Sequence, residues 1–500
     1  MNLSPVQEKI VGTPGNLIVK ASAGTGKTHT MVNKIVKDIG DNRTHKAVAA
    51  ITFTIKAVQE IKDRLSVDTI SHFIGTNNSF AIEEIIKPFM KDVYGDDYDT
   101  DMSTDYGLKV DTFQLAVDRI KNEGIICSYT DNKKNFVFDL AYEIVSNSLA
   151  CRLYLQAKYF KIYIDEYQDC DKSMHKIFMY LCDALSIEMF VVGDEKQSIY
   201  MWRGAYPEAF KGIWKKPNFS KIFMADNFRS CQQIQNYSNL LCEETRQLYK
   251  ATDSLENIIW LSSTTGNWAS EALRYIDPSK KTALLRFSND NARIGAAELT
   301  AHGLEFTYIP QIPIADITTE VAWLYNAVAK YLIVDKYSVY DLISEIPVEG
   351  NENRKTVAVI KQKLEKIETV VDDSKQFDFY VNELAKYLGY ETRIEDTKKL
   401  HKTVSDTSYH VSFDADNYRH IAITFHSSKG LEFDQVIVFA SDYRLSDISS
   451  IYNHYVAVTR AKTKLVIVKL NEYNANCFQK NIQNLFATKN LTLNDLVTIG

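Results

Sequence analysis

Patterns that mark secreted, membrane-spanning and metal-cluster proteins are missing from this sequence. The 7 cysteines in 500 residues lie singly, without the paired spacing of zinc or iron–sulfur ligands. No apolar run is long enough to cross a bilayer. The stretch from Met1 to Gly15 has neither the pattern of a secretory signal nor that of an organelle-targeting peptide. These absences predict free thiols, a cytoplasmic location and no membrane partner.

A surplus of positive charge is also missing, because the formal net charge is −6 at pH 7. This argues against a protein that coats nucleic acid through its overall charge. A local groove is still compatible with the composition, since 12% of the residues are aromatic and can serve both base stacking and a core. The length predicts about two to four domains, at roughly 150 residues each.

Short apolar strands alternate with helical patterns in two parts of the chain. The first set of strands is predicted at residues 16–21, 47–53, 161–165 and 189–193, and the second at 420–425, 435–440 and 464–470. Such alternation is typical of parallel sheets, whose functional loops lie at the carboxyl ends of the strands. The sequence therefore predicts an α/β fold with two parallel-sheet cores.

Two longer stretches interrupt these strands and are predicted to be insertions. Residues 66–150 exceed what one crossover between parallel strands needs, and they include an acidic, turn-rich segment from Asp92 to Gly107. The other stretch separates Tyr308 from His420. Within it, five apolar residues share one helical face: Val357, Ile360, Leu364, Ile367 and Val371. We expect this stripe to pack on its own core, with a docked partner helix as the alternative.

A glycine-rich loop follows the first predicted strand and precedes a helix, with the spacing of a P-loop. Its residues are Ala21, Ser22, Ala23, Gly24, Thr25, Gly26, Lys27 and Thr28. Small residues let backbone amides point at the β-phosphate of a nucleotide, Lys27 neutralises the β and γ oxygens, and Thr28 offers a hydroxyl to Mg²⁺. A chance glycine-rich turn is the alternative, and the flanking strand and helix argue against it.

The third predicted strand ends in an acidic pair, Asp165 and Glu166. We expect Asp165 to hold Mg²⁺, and Glu166 to orient and deprotonate the attacking water. Taken alone, an Asp-Glu pair is more typical of a solvated turn. Together with the P-loop upstream, the pair predicts hydrolysis of ATP.

Five further segments occur in this order along the chain: ITFTIKAVQEIKDRL (51–65), VVGDEKQSIYMWRGA (191–205), DNFRS (226–230), ITFHSSKGLEFDQVIV (423–438) and YVAVTRAK (455–462). They resemble the motor motifs of the UvrD/Rep/PcrA family of superfamily 1A DNA helicases. The resemblance implies two RecA-like parallel-sheet motor domains, each with a mainly helical inserted subdomain. The first would comprise residues 1–65 and 151–213 with 66–150 inserted, and the second 214–308 and 419–500 with a shortened insertion at 309–418.

The resemblance also implies which residues hold the base and sugar of the nucleotide. Gln7 would read the adenine, and Phe228 would stack on it where the family commonly has a tyrosine. Glu432 would contact the ribose, and the backbone at Gly430 would approach phosphate.

The same resemblance implies three more catalytic residues beside Lys27 and the acidic pair. Gln197 would sense the γ-phosphate, and Arg229 and Arg460 would act as arginine fingers across the cleft between the motor domains. A guanidinium matches phosphate oxygens bidentately and stays charged, so it can stabilise charge on the transferred group.

A single-strand DNA track is implied as well. Its residues would be Phe53, Thr54, Thr69, His72, Tyr200, Trp202, Arg203 and His426. Aromatic rings accept any base face, while hydroxyls and imidazoles contact phosphates without reading sequence. For Trp202, burial in a core is the alternative.

The expected function is an ATP- and Mg²⁺-dependent translocase that moves 3′ to 5′ on single-stranded DNA and unwinds tailed duplexes, in DNA repair or anti-phage defence. The alternative is a DNA-sensing ATPase subunit that regulates a nuclease. An RNA helicase is less expected, because the motifs resemble the DNA branch.

Three departures from the family bear on that choice. The second insertion is short, the final motif lacks an arginine-rich lead, and about forty residues follow that motif, so no fused nuclease is expected. Compact chains of this kind resemble the helicase-like subunit of Gabija-type anti-phage systems, and this resemblance implies a separate OLD-like nuclease as partner.

Overall fold

The structure is a computed structural model that describes residues 3–65, 70–98, 100–199, 204–252, 255–317, 319, 321–346 and 354–500. Its strands are β1 Leu17–Ala21, β2 Ala47–Thr52, β3 Phe73–Thr76, β4 Ser103–Val110, β5 Ile125–Tyr129, β6 Tyr159–Ile164, β7 Glu188–Gly193, β8 Ser220–Met224, β9 Ile258–Ser263, β10 Thr282–Arg286, β11 Thr307–Tyr308, β12 His420–Thr424, β13 Phe433–Phe439, β14 Ala461–Leu470 and β15 Thr498–Ile499.

The α-helices are α1 Pro5–Gly12, α2 Lys27–Asp41, α3 Ile55–Arg64, α4 Asn77–Ala81, α5 Lys87–Tyr94, α6 Phe113–Glu123, α7 Phe136–Asn147, α8 Leu149–Lys158, α9 Lys172–Asp183, α10 Pro207–Lys215, α11 Gln232–Leu240, α12 Trp268–Leu273, α13 Asn289–Ala301, α14 Ala322–Ile333, α15 Val339–Ser344, α16 Arg354–Glu368, α17 Ser374–Tyr387, α18 Ile394–Ser405, α19 Ile448–Val458 and α20 Tyr473–Ala487. A π-helical segment, Ile82–Ile86, joins α4 to α5. Short 3₁₀ turns include Tyr167–Asp169 and Glu195–Gln197.

The chain divides into two compact units. The first comprises Met1–Met102, Lys109–Ile276 and Phe425–Gly500, and the second comprises Ser103–Leu108 and Asp277–Thr424. The predicted α/β class, with large parallel sheets as in RecA-like motor domains, is confirmed.

A parallel sheet in the first unit carries the glycine-rich loop. Among the described residues, six strands form it in the order β3-β2-β6-β7-β1-β8. The registers place β1 between β7 and β8, with both neighbours parallel to it. Apolar side chains of these strands, such as Val19, are buried in one core with Met31 and Ile35 of helix α2. Because all six strands run the same way, the loops that follow them meet at one edge.

Two strands of this sheet lie outside the stretches expected for the first motor domain. β3 adds to the free side of β2, and β8 adds to β1. Neither was predicted, because both are short and carry few apolar residues at regular spacing. The strands that were predicted all occur, with ends shifted by a few residues.

A second group of parallel strands belongs to the same unit. Described strands lie there in the order β13-β14-β9-β15, and β14 is flanked in parallel by β13 and β9. The chain passes between the two groups after β8: Cys231 N–H donates to the Lys462 carbonyl at 2.8 Å, and the Ser230 hydroxyl donates to the Ala461 carbonyl at 2.7 Å. Residues 225–230 therefore connect the first sheet to the second group.

The second unit contains strands β10 to β12 and a helical core built by α14 to α18. Four of the five residues of the predicted apolar stripe lie on α16, where Ile360, Leu364 and Ile367 are fully buried and Val357 packs beside them. The helix ends at Glu368, so Val371 is not on the predicted face but packs on the same core from the turn that follows. The expectation that the stripe packs on its own core is confirmed.

We expect Leu364→Ala to destabilise the second unit by about 2–5 kcal/mol, the usual cost of deleting a buried leucine side chain. The side chain has no exposed surface, so the deletion leaves a cavity. Urea unfolding followed by circular dichroism measures the change. Lys361→Ala on the exposed side of the same helix is the control and should change the free energy of unfolding by less than about 0.5 kcal/mol.

All seven cysteines lie in the part of the chain that the structure describes, and each is a free thiol. Among the helices described, none combines the length and apolar character that crossing a bilayer requires.

Candidate functional site

The glycine-rich loop joins the end of β1 at Ala21 to the start of α2 at Lys27. Gly24 and Gly26 have φ angles of 74° and 81°, the left-handed region that L side chains rarely adopt. A Cβ atom on Gly24 would also lie 2.4 Å from Asn227 Oδ1. The two glycines are therefore required both for the turn and for close packing of the loop.

Gln7 of helix α1 is hydrogen-bonded to this loop. Its Nε2 donates to the Thr25 carbonyl at 3.1 Å, while its Oε1 accepts from the Ser4 amide at 2.9 Å in the capping box of α1. Both ends of the amide predicted to read adenine thus have protein partners. Within the loop, Ser22 has a buried hydroxyl oxygen without a hydrogen-bond partner. An anion cradled by the loop would satisfy that hydroxyl.

The acidic pair follows β6 and faces the loop. Lys27 Nζ lies 3.1 Å from Glu166 Oε1, and the Thr28 hydroxyl lies 3.4 Å from Asp165 Oδ2. Glu166 has a φ of 48°, unusual for a non-glycine residue, and Gln168 donates a hydrogen bond to its carboxylate. Strain of this kind is typical of functional positions.

Burial and charge separate the pKa values of the two carboxyls. Burial and the neighbouring Glu166 carboxylate raise the pKa of Asp165. Burial would raise the pKa of Glu166 too, but Lys27 and Lys429 outweigh it and lower that pKa. Glu166 is therefore held ionised, as a base must be before it accepts a proton.

Oxygen ligands for a divalent cation are present but few. Thr28 and Asp165 offer a hydroxyl and a carboxylate side by side. Within the described ranges, no group of three or more His, Cys, Asp or Glu side chains is arranged to hold a metal. The Thr28 and Asp165 pair fits Mg²⁺, which is usually bound by one or two carboxylates together with substrate phosphates.

A cavity of about 890 Å³ lies over the loop. It is lined by most of the residues predicted from the sequence: Ser22, Ala23, Gly24, Thr25, Gly26, Lys27, Thr28, Phe53, Thr54, Asp165, Glu166, Gln197, Arg229, Gly430, Glu432 and Arg460. Residues separated by more than 400 positions therefore share one cavity.

Arg229 reaches the cavity from the connection after β8. Its Nε donates to Glu432 Oε2 at 2.7 Å, and its Nη1 donates to the Thr459 carbonyl at 3.2 Å. Glu432, predicted to contact the ribose, is also paired with Lys462 at 3.3 Å. Gly430 lies beside it with a φ of 86° and open space where a Cβ would stand.

Arg460 is 1% exposed and lies just beyond the end of α19. Its guanidinium donates to the carbonyls of Val456 and Leu431 at 3.0 and 3.1 Å and to the Thr459 hydroxyl at 3.2 Å. Burial, together with the nearby Arg229, lowers the pKa of Arg460 to about 9. An added anion would relieve this cost, since it would pair with two guanidinium groups that repel each other.

Lys429 is a site residue that the sequence analysis did not single out. Its Nζ donates to Asp169 Oδ2 and to the Gln197 carbonyl at 3.1 Å. Burial raises the pKa of Asp169 to about 6, against the lowering effect of Lys429. Its place directly before Gly430 in the HSSKG motif was the available signal. The Gln197 side chain, expected at the γ-phosphate, donates through Nε2 to Asp194 at 2.8 Å.

Phe228 stands next to the glycine-rich loop. Its amide donates to the Gly24 carbonyl at 2.9 Å, and its ring is 63% exposed. An exposed ring anchored beside the loop is suited to stacking on a base.

The predicted DNA residues are not all brought together. Phe53 and Thr54 follow β2 and line the cavity. His72 lies near the opposite end of the same strand, where its Nδ1 accepts from the Val48 amide at 3.3 Å. Phe53 lies five positions beyond Val48, a distance of about 16 Å along an extended strand. His426 follows Phe425, with ring centroids 3.8 Å apart. Thr69, Tyr200, Trp202 and Arg203 lie outside the described residues.

Two asparagines at the carboxyl end of β3 were missed. Thr76 pairs with Thr52 in the register of β3 and β2, so the following residues lie beside Phe53. Asn77 and Asn78 line the same cavity. The available signal was Thr76, a helix N-cap residue whose side chain accepts from the Ser79 amide, followed directly by the two asparagines.

Comparison with known proteins agrees with this geometry. Residues 3–123 and 138–218 match the UvrD/REP helicase N-terminal domain, and residues 420–468 match the UvrD-like helicase C-terminal domain. Over 480 residues the chain is 40% identical to the Gabija protein GajB of Bacillus cereus (strain VD045), a match covering 93% of this chain and 95% of that protein.

More distant relatives include two proteins named as ATP-dependent DNA helicases. The chain is 27% identical over 311 residues to the ATP-dependent DNA helicase Rep of Escherichia coli (strain K12), covering 50% of this chain and 44% of that protein. It is 26% identical over 296 residues to the ATP-dependent DNA helicase PcrA of Bacillus subtilis (strain 168), covering 47% and 39%. These two matches span less than half of each helicase. On the domain matches and the full-length similarity, the chain belongs to the UvrD/REP helicase family.

Proposed function

We propose that this protein hydrolyses ATP to move 3′ to 5′ along single-stranded DNA. The observation that carries the proposal is the shared cavity, in which Arg229 and Arg460 lie with Lys27 and the acidic pair. Cationic groups from distant parts of the chain around one phosphate-sized cradle are what phosphoryl transfer needs.

The residues divide the work of hydrolysis. Mg²⁺, held by Thr28 and Asp165 with the phosphates, would neutralise charge on the transferred group. Glu166, kept ionised by its cationic neighbours, would accept a proton from the attacking water. The backbone amides of the glycine-rich loop would bind the β-phosphate.

Translocation would follow from closing and opening of the cavity. ATP binding would draw Arg229 and Arg460 towards the phosphates, and hydrolysis would release them. Phe53 and Thr54 border the same cavity, so DNA contacts there would change with the nucleotide state. We infer that the moving bodies are the four domains that the family resemblance implies.

A role in anti-phage defence is favoured over general repair. The chain is 40% identical to GajB over nearly the whole of both proteins, whereas its identity is 27% to Rep of Escherichia coli, 26% to PcrA of Bacillus subtilis and 22% to PcrA of Staphylococcus epidermidis. We therefore propose a cytoplasmic subunit that works beside a separate OLD-like nuclease.

The same similarity favours a second candidate, in which the chain is a DNA-sensing ATPase that regulates that nuclease and unwinds little by itself. The two candidates differ in what the purified chain does alone. Unwinding of tailed duplexes without a partner supports the first. ATPase stimulated by single-stranded DNA, with unwinding only after a nuclease is added, supports the second.

Direction is tested with duplexes that carry one overhang. We expect single-stranded DNA to stimulate ATP hydrolysis, and strand separation to start from a 3′ overhang, because the motor motifs resemble a family that mostly moves this way. A fluorescence strand-separation assay on 3′-tailed, 5′-tailed and blunt duplexes measures it. Unwinding from the 5′-tailed substrate alone would refute the assigned direction.

A further inference from the structure

A buried tyrosine of helix α19 touches the glycine-rich loop. Tyr455 is 1% exposed, and its hydroxyl oxygen accepts from the Ala23 amide at 3.2 Å. The same hydroxyl donates to Asp194 Oδ2 at 3.2 Å. One side chain thus connects the P-loop backbone to a carboxylate that follows β7.

Asp194 is the centre of a hydrogen-bond network that reaches Gln197. Its Oδ2 accepts from Gln197 Nε2 at 2.8 Å as well as from the Tyr455 hydroxyl. Its Oδ1 is paired with Lys196 Nζ at 2.6 Å, and both side chains are buried. Asp194 Oδ2 accepts from both donors, so removal of the Tyr455 hydroxyl would change the oxygen that holds the Gln197 amide.

The network continues to the proposed catalytic base. Asp194 N–H donates to Gln168 Oε1 at 3.0 Å, and Gln168 Nε2 donates to the Glu166 carboxylate. Gln168 is fully buried, so no water competes for its amide. Tyr455 is therefore joined to Glu166 through two intervening residues.

Tyr455 is also tied to the proposed arginine finger. The Thr459 hydroxyl donates to the Tyr455 carbonyl at 2.8 Å and accepts from Arg460 Nη2 at 3.2 Å. Arg460 Nε in turn donates to the Val456 carbonyl at 3.0 Å, within the last turn of the same helix. Arg460 and Tyr455 are therefore linked through Thr459 at the end of the same helix.

We propose that Tyr455 is a positioning residue that makes the P-loop and Gln197 competent for hydrolysis only while the Arg460 end of α19 is docked. This inference rests on the proposed ATP hydrolysis and adds a path by which Arg460 is coupled to the phosphate cradle. Burial and the Asp194 carboxylate raise the pKa of Tyr455, so its hydroxyl stays a neutral donor.

Tyr455→Phe in the full chain tests the proposal, because it keeps the ring and removes the hydroxyl. We expect kcat for DNA-stimulated hydrolysis to fall about tenfold, the factor that loss of one typical hydrogen bond produces. KM for ATP should change by less than about threefold, since binding contacts stay in place. The melting temperature should shift no more than in the control.

The control is Tyr237→Phe. That tyrosine is fully buried in the same unit, and its hydroxyl bonds to His454 Nε2 at 3.0 Å, away from the cavity. Removal of this hydroxyl matches the chemical change and also takes a hydrogen bond from α19, because His454 directly precedes Tyr455, but it removes no hydrogen bond to the glycine-rich loop or to Asp194. Thr459→Val should lower kcat as well, and the double variant Tyr455→Phe, Thr459→Val should lose less than the product of the two effects.

The outcomes separate this inference from the proposed function. If the unaltered chain hydrolyses ATP and Tyr455→Phe keeps the kcat of Tyr237→Phe, the positioning role is overturned while the motor assignment stands. If Tyr455→Phe raises KM for ATP by more than about threefold as well as lowering kcat, Tyr455 acts in nucleotide binding and the proposal also fails. If the unaltered chain hydrolyses no ATP with DNA present, both are overturned.

Discussion

Lys27→Ala is expected to lower ATP hydrolysis by about 10²–10³-fold, the usual cost of losing one preorganised charge stabiliser. Lys27 begins α2 with its ammonium 3.1 Å from Glu166, at the mouth of the loop that would hold the phosphates. Binding of single-stranded DNA should be largely kept, because the substitution removes only a phosphate contact. A coupled ATPase assay and fluorescence anisotropy with labelled single strands measure the two properties.

The matched control lies on the same helix. Lys37 is 42% exposed and pairs with Asp41 at 2.5 Å, far from the cavity lining. Lys37→Ala should leave hydrolysis within about twofold of the unaltered chain, since surface ion pairs contribute little. Ordinary turnover in the Lys27 variant would show that the nucleotide site is wrongly assigned.

Arg229→Ala is expected to lower the DNA-stimulated kcat by about 10³-fold, in the range of an arginine finger. The guanidinium lies at the cavity wall and is held by Glu432 and the Thr459 carbonyl. Its loss leaves Glu432 paired with Lys462, so no buried carboxylate is left alone. Single-turnover hydrolysis at saturating ATP isolates this effect from nucleotide binding.

Lys462→Ala serves as the comparison for that variant. Lys462 shares the Glu432 partner but does not line the cavity. It should change kcat by less than about threefold, as expected for a partly exposed ion pair. Equal losses in the two variants would mean that Glu432 pairing, rather than the guanidinium of Arg229, sets the rate.

Residues fixed by local spacing were predictable from the sequence. The P-loop and the acidic pair each depend on a strand followed by a short turn, and such patterns are visible within a dozen residues. Resemblance to the helicase motifs brought Arg229 and Arg460 to the same site. The structure places them in one cavity with Lys27.

Contacts that depend on strand register or on packing between distant parts of the chain could not be predicted from the sequence. His72 and Asn77 are five positions apart, and only the pairing of β3 with β2 shows that Asn77 lies at the same end of β2 as Phe53 while His72 lies at the other end. Tyr455 contacts Ala23 across 432 positions, and no local pattern indicates that contact. Gln7, predicted to read adenine, contacts the loop at Thr25, but the capping bond to Ser4 that occupies its amide oxygen depends on exact helix geometry and was not predicted.

The connection after β8 gives Arg229 an unusual mechanical position. Met224 is hydrogen-bonded within the first sheet, and Cys231 is hydrogen-bonded to the strand group that contains β14. Any rotation of one sheet against the other has to be absorbed by the few backbone torsions of residues 225–230. Arg229 lies within this connection, so if the two groups of strands rotate as the proposed closing requires, the depth to which its guanidinium enters the cavity would follow the angle between them.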